Sequence, residues 1–306
     1  MVQKGGKSKS ESWRDWYSGQ SETLLKELHL LTRDGQLNQD SRRKLKQVEH
    51  LIQLLRPFLK DGDTVTDIGA GKSYLGLLLY DVVLRQFETA KVVGIERRPE
   101  LVLRSREIAK ASQFSRAEFR ESDAKTHLQT LLTAEQAGPN LPAVDPILSR
   151  DVVVALHACD TATDDAIALG VLSGARVIAV VPCCQAEVAA ILKSGKLTEE
   201  SLVRSDSLGS LYRHPLHRRE FGSHLTNVIR ALVLESCGYK VTVTELVGFE
   251  HSMKNELIVA ERKQGVDRNR SAARLRALLA EFGIGFETMV LGQWLSQSKH
   301  FQWGVQ

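Results

Sequence analysis

Cysteine is scarce in this chain, with four among 306 residues, and their spacing makes neither a disulfide framework nor a C-x-x-C pair. That excludes a small disulfide-stapled scaffold and points to a reducing, cytoplasmic setting. No apolar run approaches the roughly 20 residues a membrane-spanning helix needs. Met1–Gln20 is polar, without the apolar centre of a secretory signal, and its Lys/Ser/Gly composition predicts disorder, with Trp13, Trp16 and Tyr17 available for docking. No internal repeat is visible. One glycine is also missing. The stretch TVTDIGAGKSYLG, Thr64 to Gly76, carries Gly69-Ala70-Gly71, but the dinucleotide fingerprint G-x-G-x-x-G needs glycine at 74, where Tyr74 stands.

What is present is ordinary in bulk. Apolar residues make up 42% and charged residues 25% of the chain, enough for a normal core. The formal net charge of +4 permits an anionic partner such as RNA, although many small-molecule enzymes share it.

Residues 21–60 read as N-terminal helices. One covers Ser21–Leu31, and a second, capped by Asp40 or Ser41, runs to Leu59 with Pro57 kinking or ending it. From residue 61 strands and helices alternate. The strands are Thr64–Ile68, Lys91–Ile95, Ala117–Glu121, Asp151–Leu156 and Arg176–Val181. The helices between and after them are Ser73–Phe87, Pro99–Ser112, Ala124–Gln136, Thr161–Leu172 and Gln185–Leu192. This alternation implies an α/β fold with a doubly wound, mostly parallel sheet. An insertion follows over Gly195–His217, helical at Leu197–Ser205, and then a long helix from Arg219 to Cys237. The last two strands, Tyr239–Phe249 and Glu256–Glu261, are too close in sequence for a crossover and must form an antiparallel hairpin. That ending is the arrangement of Rossmann-like class I methyltransferases, here over residues 61–262. Residues 263–306 form a helical extension, with a basic helix at Asp267–Phe282.

Ligands of open α/β sheets bind beyond the carboxyl ends of the strands. There the first strand offers Asp67, Gly69, Ala70 and Gly71, followed by Lys72. Asp67 would repel a pyrophosphate lying on the turn, and suits a cationic or hydroxyl-bearing ligand. The second strand offers Glu96, able to accept from both ribose hydroxyls, and the third offers Asp123, placed to accept from an adenine amine. Three acids on consecutive units, together with the terminal hairpin, point to S-adenosylmethionine as cofactor. For each acid alone, the bland reading is an exposed loop carboxylate.

The fourth strand ends in Leu156-His157-Ala158-Cys159-Asp160, and the fifth in Val181-Pro182-Cys183-Cys184-Gln185. The hairpin loop adds Glu250-His251-Ser252-Met253-Lys254-Asn255 at the same edge. His214, His217, Arg218, Arg219 and His224 lie just before or within the long helix. Four readings of this cluster stay open. A base such as His157 takes a proton from the acceptor. A cysteine adds to a pyrimidine ring. His157, Cys159, Cys183 and Cys184 bind zinc, although H-x-C and C-C are not the usual spacings and no metal is assigned. Or the cysteines are small buried residues. The basic runs Arg42, Arg43, Lys44, Lys46 and Arg268, Arg270, Arg274, Arg276 read first as solvated helix faces.

The segments DIGAGKSYLG, LHACDTATDDAI, VVPCCQ, HPLHRREFGSHLTNVIRALVLE and FEHSMKN together resemble a bacterial methyltransferase-domain family. That family is similar to the eukaryotic tRNA acceptor-stem 2′-O-methyltransferases. It is also similar to the methyltransferase portion of the glutathione S-transferase C-terminal-domain-containing protein. The resemblance spans about Arg42 to Arg262. It implies that Asp67, Gly69, Gly71, Lys72, Tyr74, Glu96 and Asp123 line the adenosylmethionine site, which His157 also borders. It implies that His157, Cys159, Asp160, Thr163 and Asp164 border the acceptor site beside Pro182, Cys183 and Cys184, with His251 near. RNA is the expected acceptor, with a small molecule, or cofactor binding without transfer, as alternatives.

Overall fold

The computed structural model describes residues 21–37, 39–137, 151–156, 158, 160–182, 185–194, 206–246, 256–298 and 301. Seven strands form one sheet in the order β3-β2-β1-β4-β5-β7-β6. They are β1 Thr64–Ile68, β2 Lys91–Glu96, β3 Ala117–Glu121, β4 Val152–Leu156, β5 Val177–Val181, β6 Tyr239–Glu245 and β7 Glu256–Arg262. β1 to β5 pair in parallel, and β7 enters antiparallel between β5 and β6. The expected fold class is the observed one.

Helices cover both faces. They are α1 Glu22–Glu27, α2 Gln39–Leu55, α3 Tyr74–Val82, α4 Pro99–Ala111, α5 Ala124–Ala137, α6 Thr161–Leu172, α7 Glu187–Ser194, α8 Asp206–Tyr212, α9 Pro215–Ser236, α10 Arg268–Phe282 and α11 Val290–Leu295. β4 and β5 are apolar throughout because both faces of the sheet are covered. Val152 and Val154 point to one core with Leu24, Leu51 and Leu77. Val153 and Ala155 point to the other with Ile167, Ile229 and Leu291. The N-terminal helices and the C-terminal extension therefore each share a core with one face of the sheet. Among the described residues no helix is long and apolar enough to cross a membrane.

Several boundaries differ from expectation for local reasons. The first helix stops at Glu27, because His29 adopts a φ of 56° and sends Leu30 and Leu31 back into the core. The second begins at Gln39, so Asp40 and Ser41 lie inside its first turn rather than at its cap, and it ends at Leu55 in a one-turn 3₁₀ segment containing Pro57. The helix expected to reach Phe87 breaks after Val82, and Leu84–Gln86 forms another 3₁₀ turn. α9 begins at Pro215 instead of Arg219, since proline suits the first helical turn. The expected tail Met1–Gln20, the 138–146 loop and the 197–205 helix lie outside the described residues.

The tail after α10 has a definite place. Trp294 donates its indole N–H to Asp165 at 2.7 Å, and the Val290 amide donates to Glu187 at 2.7 Å. Burial pushes the Asp165 carboxyl up to about 6 and that of Glu187 up to about 7. The C-terminal extension is thus seated on two acids at the start of α6 and α7.

Candidate active site

The sheet order reverses between β1 and β4, because the chain lays down β2 and β3 on one side of β1 before crossing to the other. The crevice at the carboxyl end of that switch point is where this architecture accepts a ligand. The loops from the two strands meet there: a Cβ added at Gly69 would lie 3.8 Å from the Ala158 Cβ.

The glycine loop is built from left-handed residues. Gly69, Gly71 and Ser73 have φ of 66°, 57° and 55°. Ser73 holds that conformation although it has a side chain. It is buried, its Oγ lies 2.9 Å from Ser105 Oγ, and its amide donates to Ala70 O at 2.7 Å. The Ala70 amide donates to Ile95 O at 3.0 Å, which ties the loop to the end of β2. Lys72 is exposed. Tyr74 turns away from the loop and donates its hydroxyl to Leu28 O at 3.0 Å, fastening the N-terminal helices to α3.

The three acids have three different environments. Asp67 is buried beneath the loop, where Oδ2 accepts from the Gly76 amide at 3.2 Å and so caps the N-terminal turn of α3. Burial drives its carboxyl from 3.8 to about 7, with the nearby Glu96 charge adding to the rise. Glu96 accepts from the Gly71 amide at 2.8 Å and from the Arg98 amide and Nε at 3.1 and 2.9 Å. Burial would raise this carboxyl too, but the Arg98 and Gly71 hydrogen bonds outweigh it and hold it below the usual range. Asp123 is the N-cap of α5: Oδ1 accepts from the Thr126 amide and hydroxyl, both at 2.9 Å, and the Thr126 amide is the main reason its carboxyl sits low. An ionised acceptor therefore stands at the end of β2 and another at the end of β3, with a carboxyl poised near neutrality under the turn.

Asp67 makes a testable contribution to stability. Its folded pKa lies above its ordinary value, so the fold favours the neutral form. That contribution is complete below about pH 4 and is lost as pH rises through about 7. Asp67→Asn is expected to keep the acceptor for Gly76. Urea unfolding from about pH 5 to about pH 8 should show the wild type losing stability relative to this variant as pH rises. A constant difference across that range would contradict the assignment.

The second half of the site is organised by a buried ion pair. Asp160, at the tip of β4, has φ 48° and ψ −120°, outside the backbone wells open to non-glycine residues. Such strain costs about 1–3 kcal/mol and persists only where the surroundings enforce it. Here Oδ1 accepts from the Ala186 amide at 2.9 Å, beyond the tip of β5, and the carbonyl accepts from Arg230 Nη2 at 3.1 Å. Arg230, in α9, is fully buried and grips Asp164 with Nε to Oδ1 at 2.9 Å and Nη2 to Oδ2 at 2.6 Å. Its Nη1 donates to Asn227 Oδ1 at 3.1 Å, and Asn227 in turn donates to Glu256 at 2.8 Å. One network thus joins the tip of β4, α6, α9 and the first residue of β7. Thr163 is also buried and donates to Ala158 O at 2.7 Å. His157, Cys159, Cys183, Cys184 and His251 lie outside the described residues. Among the described residues no group of three His, Cys, Asp or Glu could hold a metal ion.

Reading by residue type missed Arg98 and Arg230. Arg230 did leave a signal: it falls at helical spacing between Thr226 and Leu234, both buried, so a charge stands in an apolar stripe. Arg98 left none, because two adjacent arginines before a proline read as a solvated turn.

Comparison with known proteins gives three kinds of match. Residues 43–191 match the family model described as a methyltransferase domain. The chain is 24% identical over 231 residues to a glutathione S-transferase C-terminal domain-containing protein of Xenopus laevis, covering 71% of this chain and 34% of that protein. It therefore spans about a third of the relative's length. Among solved structures it is similar to a SAM dependent methyltransferase from Aquifex aeolicus, with a TM-score of 0.42 and 17% identity over 78% of this chain and 98% of that one. An rRNA methylase from Streptococcus thermophilus gives a TM-score of 0.38 and 10% identity over 71% and 95% of the two chains. The methyltransferase match runs from α2 to α7, and so includes the glycine loop, all three acids and the Asp160–Asp164 segment.

Proposed function

We propose that this chain is a cytoplasmic S-adenosylmethionine-dependent methyltransferase whose acceptor is RNA. The observation that carries the cofactor is the trio of Gly71, Glu96 and Asp123 on successive strand ends beside the switch point. Glu96, an ionised carboxylate bonded to the Gly71 amide of the glycine turn, disfavours a pyrophosphate there and suits a cationic, hydroxyl-bearing cofactor. When bound, the cofactor supplies an electrophilic methyl group on a cationic sulfur.

In this reading Gly69, Ala70 and Gly71 let the backbone approach the cofactor closely, with Lys72 at the rim and Tyr74 holding the N-terminal helices against the loop. Glu96 accepts from the ribose hydroxyls and Asp123 from the adenine amine. Arg98 gives up part of its hold on Glu96 to the ribose. The acceptor lies over the tips of β4 and β5, where Asp160 is held in its strained turn. His157 takes the acceptor proton or, for a carbon acceptor, Cys159, Cys183 or Cys184 supplies the nucleophile, with His251 a further candidate for proton transfer. Orientation of the two reactants supplies much of the rate. The RNA assignment rests on the resemblance of the sequence to the tRNA enzymes and is compatible with the formal net charge of +4.

Incubation with tritiated adenosylmethionine, separately with total RNA and with a small-molecule extract, tests the proposal. Label is expected in RNA and to depend on Glu96. Label in the small-molecule fraction alone would overturn the acceptor. Label in neither fraction, despite calorimetric binding, would leave a cofactor-binding protein without transfer. Labelling of RNA that persists in Cys159→Ala and Cys183→Ala would eliminate those two cysteines as nucleophiles.

A further inference from the structure

The elbow between α8 and α9 stands at the same edge of the sheet as the tips of β4 and β5. Ser223 donates to Gln185 at 2.6 Å, just beyond β5. Gly222 packs so tightly on α7 that an added Cβ would fall 2.7 Å from the Ala189 Cβ. The elbow is also internally braced. Tyr212 stacks on Phe221 with centroids 6.0 Å apart, and Phe221 meets Phe282 at 5.5 Å.

On this rigid frame the side chains that face solvent are of two kinds. Leu211 and Leu216 are 47% and 57% exposed, two of the four large hydrophobics that stand out from the surface among the described residues. Between and beside them are Arg213, His214, His217 and Arg218, with the two imidazole rings edge to face at 5.4 Å. Arg219 pairs with Glu220 at 2.7 Å. Among the described residues, neither Arg213 nor Arg218 forms an ion pair with a carboxylate.

We infer that this elbow is the surface on which the RNA strand carrying the acceptor docks. The inference rests on the RNA reading given above. Arginines without acidic partners among the described residues match phosphates, the exposed imidazole rings offer faces on which unpaired bases stack, and the leucines add apolar contact to the bases. The strand so held would run from the elbow toward Gln185 and the tips of β5 and β4, where the methyl group is transferred. The expected partner is therefore single-stranded or loop RNA rather than a duplex.

Fluorescence anisotropy with total tRNA and with a labelled oligouridine, in the full chain, tests this. Arg213→Ala/Arg218→Ala is expected to bind both probes at least tenfold more weakly at about 0.1 M salt. The slope of log affinity against log salt should shrink by about 1–2, as two lost phosphate contacts require. Adenosylmethionine binding should stay unchanged, which separates the effect from misfolding. Leu211→Ser/Leu216→Ser is expected to weaken binding without changing the slope. Wild-type affinity and slope in the arginine variant would overturn the docking surface and leave a protein as the alternative occupant. Absence of RNA binding by the wild type, with normal adenosylmethionine binding, would overturn the RNA reading itself.

Discussion

Replacing Arg230 by alanine is expected to destabilise the fold by about 3–5 kcal/mol, the usual cost of leaving one partner of a buried ion pair behind. The size follows from burial. Asp164 and Arg230 are both 0% exposed, so the carboxylate left alone has no route to water. The same change removes the donor to the Asp160 carbonyl and the donor to Asn227. Denaturant unfolding of Arg230→Ala against wild type measures the loss. Arg230→Met/Asp164→Val, which removes both charges and stays near the original volume, is expected to recover most of it. Its transfer activity should nevertheless stay low, because the strained turn at Asp160 has lost the bond that enforces it. Full stability in Arg230→Ala would show that the pair is not buried as described. Full activity in the double variant would separate the network from the chemistry.

The second large effect concerns the cofactor. Glu96→Ala is expected to weaken adenosylmethionine binding by about a hundredfold, since hydrogen bonds to a charged group contribute about 1.5–3 kcal/mol each and two ribose hydroxyls are at stake. Arg98→Ala is expected to act in the other direction or not at all. Its side chain is 60% exposed against 10% for Glu96, and in the ligand-free chain it competes for the oxygens the ribose needs. Opposite signs at two residues in contact distinguish cofactor recognition from damage to the loop. Calorimetric titration of both variants checks this, and equal weakening in the two would contradict the assignment of Glu96 to the ribose.

The parts of the fold that the sequence revealed are those where burial on both sides leaves an unbroken apolar run bounded by turns. β4 and β5 start one residue later than expected and end where expected for that reason, while β1, β3 and α6 have the expected limits although each carries charged residues. The parallel run of the sheet and its antiparallel ending followed from strand–helix alternation and from the short separation of the last two strands. Where side chains from distant segments decide the outcome, local pattern was not enough. The apolar residues of Ser21–Leu31 have helical spacing, yet His29 reverses the chain after Leu28. α11 is held by Asp165 and Glu187, 129 and 103 residues away from their partners. In the site, residue type located the acids at the strand ends but not what each one does without a ligand. Asp123 is also a helix cap and Asp67 also a buried cap of α3, roles that depend on where Thr126 and Gly76 sit. Arg230 is central to the buried network at the tip of β4, yet the chemistry-bearing residue types had drawn attention to its neighbours instead.

Binding of S-adenosylmethionine at the ends of β1, β2 and β3 is the claim on which the rest depends. Isothermal titration of the full chain with S-adenosylmethionine, alongside Glu96→Ala, tests it most directly. One site per chain in the wild type, weakened about a hundredfold in the variant, is the predicted result. No binding by the wild type, or binding that Glu96→Ala leaves untouched, would contradict it.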